Sequence, residues 1–348
     1  MDTNTMPLPK TQQLHPLVEN FLVHWLPNTA TTKWSTGGGG CWIKSPLEAL
    51  EADGHYLPRD LVDVFAARMR ADWVDRGIMR SNFMEAGFDE LAANNDPADG
   101  PRTGDNAWDY LHFGAIALLD DLHSRGYAWA GDFAMRLVTS YYNNKNTPWL
   151  RDAGVANKYM LYGDKGRGRT AGWICHALLR SRRITKRAGF TWHTVALENL
   201  LKYHRDRILE AMPFVEEPQG DSPLDPSVKH WRVFMIGILL SALRRMQMLS
   251  GQSDQPLMSA CDRLGKIIRA ACIARGEYLY DMLAVDDEPA NHPNQLAKGN
   301  VSNIAGVGIW LCDALEWGVD EYREELRAAA RTLDWPNKQP ILWAAFAK

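Results

Sequence analysis

Four clusters of polar and aromatic residues carry the chemistry that this sequence offers, and each stands at the start of an apolar helical pattern. The first cluster includes Trp108, Asp109 and His112, and the helical spacing of Asp109 and His112 places both near one face. A carboxylate beside an imidazole is suited to moving a proton at a reacting bond. As an alternative, Asp105 or Asn106 caps the helix and His112 is a hydrogen-bonded core residue.

The second cluster is the most unusual stretch of the sequence, because glycines alternate with charged residues between positions 162 and 169. Tyr162 is a candidate base, and Arg167 and Arg169 are candidates for clamping a carboxylate or another anionic group. The glycines permit close approach of the backbone to a ligand. The alternative is a flexible loop whose charges are simply solvated. Trp173 follows within the next helical pattern.

The third and fourth clusters bring a further histidine, a further tryptophan and two amides. Tryptophan faces stack on the apolar faces of sugar rings, although tryptophan also packs helical cores, and Asn300 has the alternative role of a helix cap. The candidate catalytic residues are therefore Asp109, His112, Tyr162, Arg169 and His230. The candidate substrate-binding residues are Trp108, Arg167, Trp173, Trp231, Asn300 and Asn303.

A recurring helical hairpin is expected to position these clusters. The dipeptide Ala-Leu recurs at positions 117, 177, 242 and 314, each time inside a helix that is apolar nearly all round. A more amphipathic helix follows each of them, predicted at 129–142, 192–211, 256–274 and 319–333. The apolar helices are expected to form an inner ring and the amphipathic helices an outer ring. The long connections all lead into an apolar helix, so they are expected to emerge at one end.

The fold class is therefore predicted as all-α, a toroid or barrel of about five to six helical hairpins. Residues 1–13 are predicted to be a flexible N-terminus, and residues 14–348 a single domain whose clearest repeats cover 106–334. Upstream, weaker patterns predict helices at 14–26, 46–52 and 58–76.

Composition narrows the class of protein and its partners. The chain has 39 basic and 42 acidic residues, a net charge of -3, so no nucleic-acid partner is expected. The basic run between 180 and 187 is interpreted as a solvated helix C-terminus.

No secretory signal or membrane span is visible, which predicts a soluble protein without a membrane partner, in the cytoplasm or an unknown compartment. Five dispersed cysteines predict reduced core thiols, and no metal or cofactor is expected.

The four repeats, over residues 106–334, resemble the (α/α) toroid or six-hairpin superfamily of carbohydrate-active enzymes at the level of the fold. This resemblance implies cleavage of a polysaccharide or oligosaccharide in a cleft where the N-terminal ends of the inner helices meet. The same ring serves zinc-dependent lanthionine cyclases, but the glycine that should follow Cys175-His176 is Ala177. It also serves terpene cyclases, but Asp120-Asp121 lies at the wrong end of its helix, where a solvated terminus is expected.

Two reactions stay open within this resemblance. A β-eliminating lyase needs a base and a group that neutralises a uronate carboxylate, for which the candidates are His112, His230, Tyr162, Arg167, Arg169 and Asn300. A hydrolase needs two carboxylates, for which the available pair is Asp105 or Asp109 with Asp225. The alternative is a non-catalytic glycan-binding or structural component of a larger assembly such as a virion, and a homo-oligomer is likewise open.

Overall fold

The computed structural model describes residues 45, 47–48, 51, 56–75, 78–80, 85–87, 116–143, 169–217, 230–250, 253–268 and 282–284. Helices dominate these residues, and the prediction of an all-α protein is confirmed. The helix predicted at 14–26 and the fourth hairpin, with its helix at 319–333, lie outside the described residues. The helices are α1 (Arg59–Arg70), α2 (Ala128–Asn143), α3 (Arg169–Arg187), α4 (Thr191–Glu216), α5 (Val233–Ser250) and α6 (Gln255–Ile268).

Further helical structure and two small antiparallel ladders complete the described chain. Residues 116–124 are helical, and α1 continues into a π-helical turn at Ala71–Asp75. Strand β1 (Ile78–Arg80) pairs with β2 (Glu85–Gly87), and β3 (His230–Arg232) pairs with β4 (Met282–Ala284). The sequence did not predict these ladders, because three-residue strands are too short for an alternating pattern to stand out.

Two tight turns make helical hairpins out of these elements, and α5 and α6 form a third hairpin. Residues 116–124 reach α2 through Gly126, and α3 reaches α4 through Gly189; both glycines have positive φ, 96° and 75°. L-residues with a Cβ rarely adopt that conformation, so glycine suits each turn. In the hairpin of α5 and α6, Asp254 immediately precedes α6, and its carboxylate caps that helix by accepting from the Leu257 N–H at 3.2 Å. The first helix of each hairpin is 116–124, α3 or α5; the second is α2, α4 or α6.

Side-chain contacts fix the directions of the helices. Thr194 Oγ1 donates to Thr185 Oγ1 at 2.9 Å beside the turn, as expected for antiparallel α3 and α4. Arg205 near the middle of α4 pairs with Asp254 at the start of α6, and Glu216 at the end of α4 pairs with Arg263 further along α6. The second helices α4 and α6 therefore run parallel. Because each first helix is antiparallel to its second helix, α3 and α5 also run parallel.

The first helices are the more deeply buried. Eight consecutive residues of α5, 236–243, are buried, and so are 175–181 in α3. The second helices bury one stripe each, in α4 through Leu197, Leu201 and Ile208. In the described hairpins, the first helices are therefore buried on more sides than the amphipathic second helices.

Helix α4 is longer than the sequence predicted. Its predicted end was Ala211, before Pro213, yet the helix runs through Pro213 to Glu216. A proline inside a helix costs about 3 kcal/mol, because one hydrogen bond is lost and the ring crowds the preceding turn. Here Pro213 is exposed, whereas Met212 and Val215 are buried, so apolar packing of the last turn offsets that cost.

Candidate functional site at the ends of the first helices

Four of the predicted site residues fall within the described elements. Arg169 is the first residue of α3, and Trp173 lies in the same helix one turn later. His230 and Trp231 form strand β3, which leads directly into α5. The remaining candidates lie outside the described residues: Trp108, Asp109, His112, Tyr162, Arg167, Asn300 and Asn303.

A close contact between α3 and α5 brings the two described clusters to one end of the molecule. A Cβ built on Gly172 would lie 2.8 Å from Ile238 Cγ2 and 3.0 Å from the carbonyl carbon and oxygen of Ile238. Real Cβ atoms essentially never come within 3.0 Å of another heavy atom, so an alanine at position 172 would force Ile238 or one of the helices to shift. Because α3 and α5 are parallel, the residues that begin α3 and those that precede α5 lie at the same end.

The opposite end of the first helices, called the turn end here, carries a dense cluster of buried charges. Both terminal nitrogens of Arg180 donate to the Glu48 carboxylate at 3.1 Å, and Arg180 Nη1 also donates to Asp120 at 3.0 Å. Asp120 accepts from Arg187 as well, at 2.5 Å, and lies 3.4 Å from Arg183. Burial alone would raise the pKa of Glu48, but Arg180 outweighs it and holds that pKa below its usual range.

A second set of polar contacts continues this charge cluster. Arg125 Nε donates to Asp121 at 2.8 Å, and its terminal nitrogens bind both oxygens of Glu51 at 2.8 and 2.7 Å. The Ser45 hydroxyl donates to the other Asp121 oxygen at 2.5 Å. Burial raises the pKa of Asp121 to about 6, although Arg125 and Ser45 favour its ionised form.

At the turn end, one interpretation of the sequence is wrong and another holds only in part. Asp120 and Asp121 are buried and ion-paired rather than a solvated helix terminus. The basic run from 180 to 187 is solvated only in part, because Arg180 is buried whereas Arg183 and Lys186 are exposed. Buried charges are retained where partners compensate the loss of hydration, and the acids supply that compensation here. The charge cluster therefore links the segment around Glu48 to the helix at 116–124 and to α3, and its carboxylates are all paired with arginines.

The Cys175-His176 pair lies in the core of α3. Burial raises the pKa of the Cys175 thiol to about 12, so the thiolate that would bind a metal is disfavoured. Burial also lowers the pKa of His176 well below its usual value, with Arg245 and Arg180 adding to the shift. Cys175 and Cys261 are buried free thiols, which confirms the prediction of reduced core cysteines for these two.

Large apolar side chains are exposed at the turn end. Trp192 is 71% exposed and Met248 is 75% exposed, and both stand close to hairpin turns. The full set of exposed large apolar residues within the described ranges is Tyr56, Phe190, Trp192, Val195, Met248 and Leu249. Tyr56 belongs to the same end, because Arg59 donates to the carbonyl of Arg125 in the turn before α2. Val195, in the first turns of α4, is half exposed.

Comparison of the chain with protein-family models, curated proteins and solved structures finds no match. Among the helices in the described ranges, none combines the length and apolar character that a membrane span requires.

Proposed function

We propose that the chain is a carbohydrate-active enzyme of the (α/α) toroid type, which cleaves a polysaccharide or oligosaccharide at the N-terminal ends of its inner helices. The observation that carries this proposal is the contact of Gly172 with Ile238 between parallel helices. It supports a single cleft, because it places the N-terminal ends of α3 and α5 side by side. Arg169 and Trp173 lie in the first turns of α3, and His230 and Trp231 lie in β3, directly before α5.

The arrangement of the hairpins supports the toroid. First helix α5 packs on first helix α3, and second helix α6 packs on second helix α4, so these two hairpins stand side by side with their helices parallel. Repetition of this arrangement makes a closed ring when enough hairpins follow one another. The prediction of about five to six hairpins corresponds to that ring.

The residue types at this end suit the chemistry of acidic glycans. Backbone N–H groups at a helix N-terminus point out of the helix and carry partial positive charge, which favours an anionic group near Arg169. In β-elimination, His230 takes the proton beside the uronate carboxylate while Arg169 pairs with that carboxylate. The electron pair forms a carbon–carbon double bond, and the departing oxygen takes up a proton. In hydrolysis, Asp105 or Asp109 acts with Asp225 as the carboxylate pair.

The test is to incubate the purified full chain with uronate-rich and neutral polysaccharides. A lyase raises the ultraviolet absorbance of unsaturated ends, whereas a hydrolase releases reducing sugar without that absorbance. The variants His230→Ala and Arg169→Ala are expected to lose the activity. His193→Ala and Arg182→Ala are matched controls at the turn end, and both are expected to keep it. Equal losses in all four variants would contradict the proposed site.

A second candidate function, a non-catalytic component of a larger assembly, is favoured by one observation. Within the described ranges, large apolar residues beside the hairpin turns are exposed, Trp192 and Met248 the most, and large exposed apolar side chains are suited to contacts with a partner. Light scattering of the full chain and of Trp192→Ser tests this alternative. Assembly by the unmodified chain that Trp192→Ser abolishes, together with no cleavage of any glycan, would favour the structural role over the enzyme.

A further inference from the structure

The contact between α3 and α5 has two components that act on one residue, Ile238. The first is steric: Gly172 lets the backbone of α3 approach both the side chain and the carbonyl group of Ile238. The second is polar: the His176 ring, one turn further along α3, makes a hydrogen bond with the backbone of Ile238. Gly172, His176 and Ile238 are all buried, so solvent does not compete for this contact.

Positions 172 and 176 are four residues apart and therefore lie on the same face of α3. Gly172 allows α3 and α5 to approach closely, and the hydrogen bond from His176 to the Ile238 backbone fixes the axial position of α3 relative to α5. Burial disfavours a positive charge on His176 and lowers its pKa, and Arg245 and Arg180 add to that effect, so the ring stays neutral. The contact is therefore a permanent part of the core rather than a titrating switch.

We infer that Gly172 and His176 are positioning residues, which hold the two halves of the proposed cleft at a fixed spacing through their contact with Ile238. This inference rests on the proposed function. Gly172 comes three residues after Arg169, and Ile238 comes shortly after His230 and Trp231 in the next hairpin. A displacement at the contact is therefore passed directly to the proposed base and the proposed carboxylate clamp. Misplacement of reacting groups by about 1 Å can lower rates about a hundredfold.

The test is Gly172→Ala, with Gly265→Ala as the matched control. Position 265 is also a helical glycine, but a Cβ added there has nothing within 4 Å. With a uronate-rich polysaccharide as substrate, well below the melting temperature of each variant, Gly172→Ala is expected to lower kcat about tenfold or more. KM should change less, because the groups that bind the glycan remain. Removing the facing side chain, in Gly172→Ala/Ile238→Ala, is expected to restore part of kcat.

A second variant keeps the inference testable if Gly172→Ala does not fold. His176→Leu removes the polar tie while leaving an apolar residue of similar size in the core, and His176→Gln retains a donor. His176→Leu is expected to lower kcat, and His176→Gln to recover part of it. Unchanged kcat and KM in folded Gly172→Ala or His176→Leu, with only a lower melting temperature, would overturn the positioning role.

Hydrogen exchange separates this inference from the proposed function. Amides of residues 230–240 are expected to exchange faster in Gly172→Ala than in the unmodified chain, and no faster in Gly265→Ala. If Gly172→Ala exchanges faster but the unmodified chain cleaves no glycan, the proposed function is wrong and the role of Gly172 in holding α3 against α5 is still supported. Unchanged exchange in Gly172→Ala would contradict the claim that Gly172 sets the spacing of α3 and α5, whether or not the chain cleaves a glycan.

Discussion

Arg180 binds both carboxylate oxygens of Glu48, a residue 132 positions earlier in the chain. Together with Asp120, this pair joins the segment at 45–51 to two successive first helices at their turn end. The same segment caps itself, because Glu48 accepts from the Ser45 N–H at 3.1 Å and Ser45 Oγ accepts from the Leu47 N–H at 3.2 Å. The hairpins are thus tied at one end by charges, while α3 and α5 meet through Gly172 nearer the other.

The buried ion pair is expected to be a large contributor to stability once formed. Replacing Arg180 by Leu should lower the free energy of unfolding by about 3 to 5 kcal/mol, because Glu48 and Asp120 lose a buried cation. Arg182→Leu is the matched control, since Arg182 pairs with Glu198 at the surface, and its cost should stay below about 1 kcal/mol. Urea unfolding of both variants measures the difference. Equal costs would contradict the role of Arg180.

The carboxyl group of Asp121 should make stability depend on pH. Its folded-state pKa is raised to about 6, so the folded protein binds this proton more tightly than the unfolded chain does. The stabilising contribution is therefore full below about pH 4 and is lost as the pH rises through 6. Asp121→Asn should remove this slope, seen by comparing urea unfolding of variant and unmodified chain from pH 4 to 7. Parallel stability curves would show that Asp121 does not titrate as stated.

His204 should produce the opposite slope. It is fully buried in α4, and within the described part of the chain neither ring nitrogen has a hydrogen-bond partner. Burial lowers the pKa of His204 to about 4, so stability is present above about pH 6.5 and is lost as the pH falls through 4. His204→Leu should flatten the acid limb and raise stability at neutral pH, because an unsatisfied polar group is removed. His193→Leu, at a half-buried position, is the control; a destabilised His204→Leu would contradict this account.

Two glycines should respond oppositely to alanine. Gly126 has φ of 96°, so Gly126→Ala is strained and should cost about 1 to 2 kcal/mol at the turn before α2. Gly265 lies inside α6 with open space around its missing Cβ, so Gly265→Ala should stabilise by up to about 1 kcal/mol. Thermal melts of the two variants measure both signs. A stabilised Gly126→Ala would contradict the requirement for glycine in the turn.

The periodicity of apolar residues predicted the helices well wherever the apolar residues are the ones that are buried. The structure has α2 at Ala128–Asn143, where the sequence predicted 129–142, and α5 covers the apolar run that begins at Val233. Helix ends were harder, as Pro213 illustrates, because tertiary packing of Met212 and Val215 decides whether the last turn persists. The toroid remains a prediction, since closure depends on residues outside the described ranges.

The charge cluster at the turn end was missed because charged residues at helix ends were expected to be exposed to solvent. Spacing offered a signal that was missed: Arg180 follows His176 by four residues and precedes Ile184 by four, on one face of α3. His204 similarly continues the stripe of Leu197, Leu201 and Ile208. Ser45 and Glu48 also match the capping-box pattern. Which acid pairs with Arg180 was beyond local reasoning, because Glu48 and Asp120 come from distant segments.

The most direct measurement of the central claim is mass spectrometry of glycan products formed by the full chain in ¹⁸O-labelled water. The account predicts shortened uronate-containing products from the unmodified chain and none from His230→Ala. Elimination leaves products without solvent oxygen, whereas hydrolysis adds one labelled oxygen at each new reducing end. Substrates that keep their full mass across uronate-rich and neutral glycans would contradict the claim that the ends of α3 and α5 form a cleaving site.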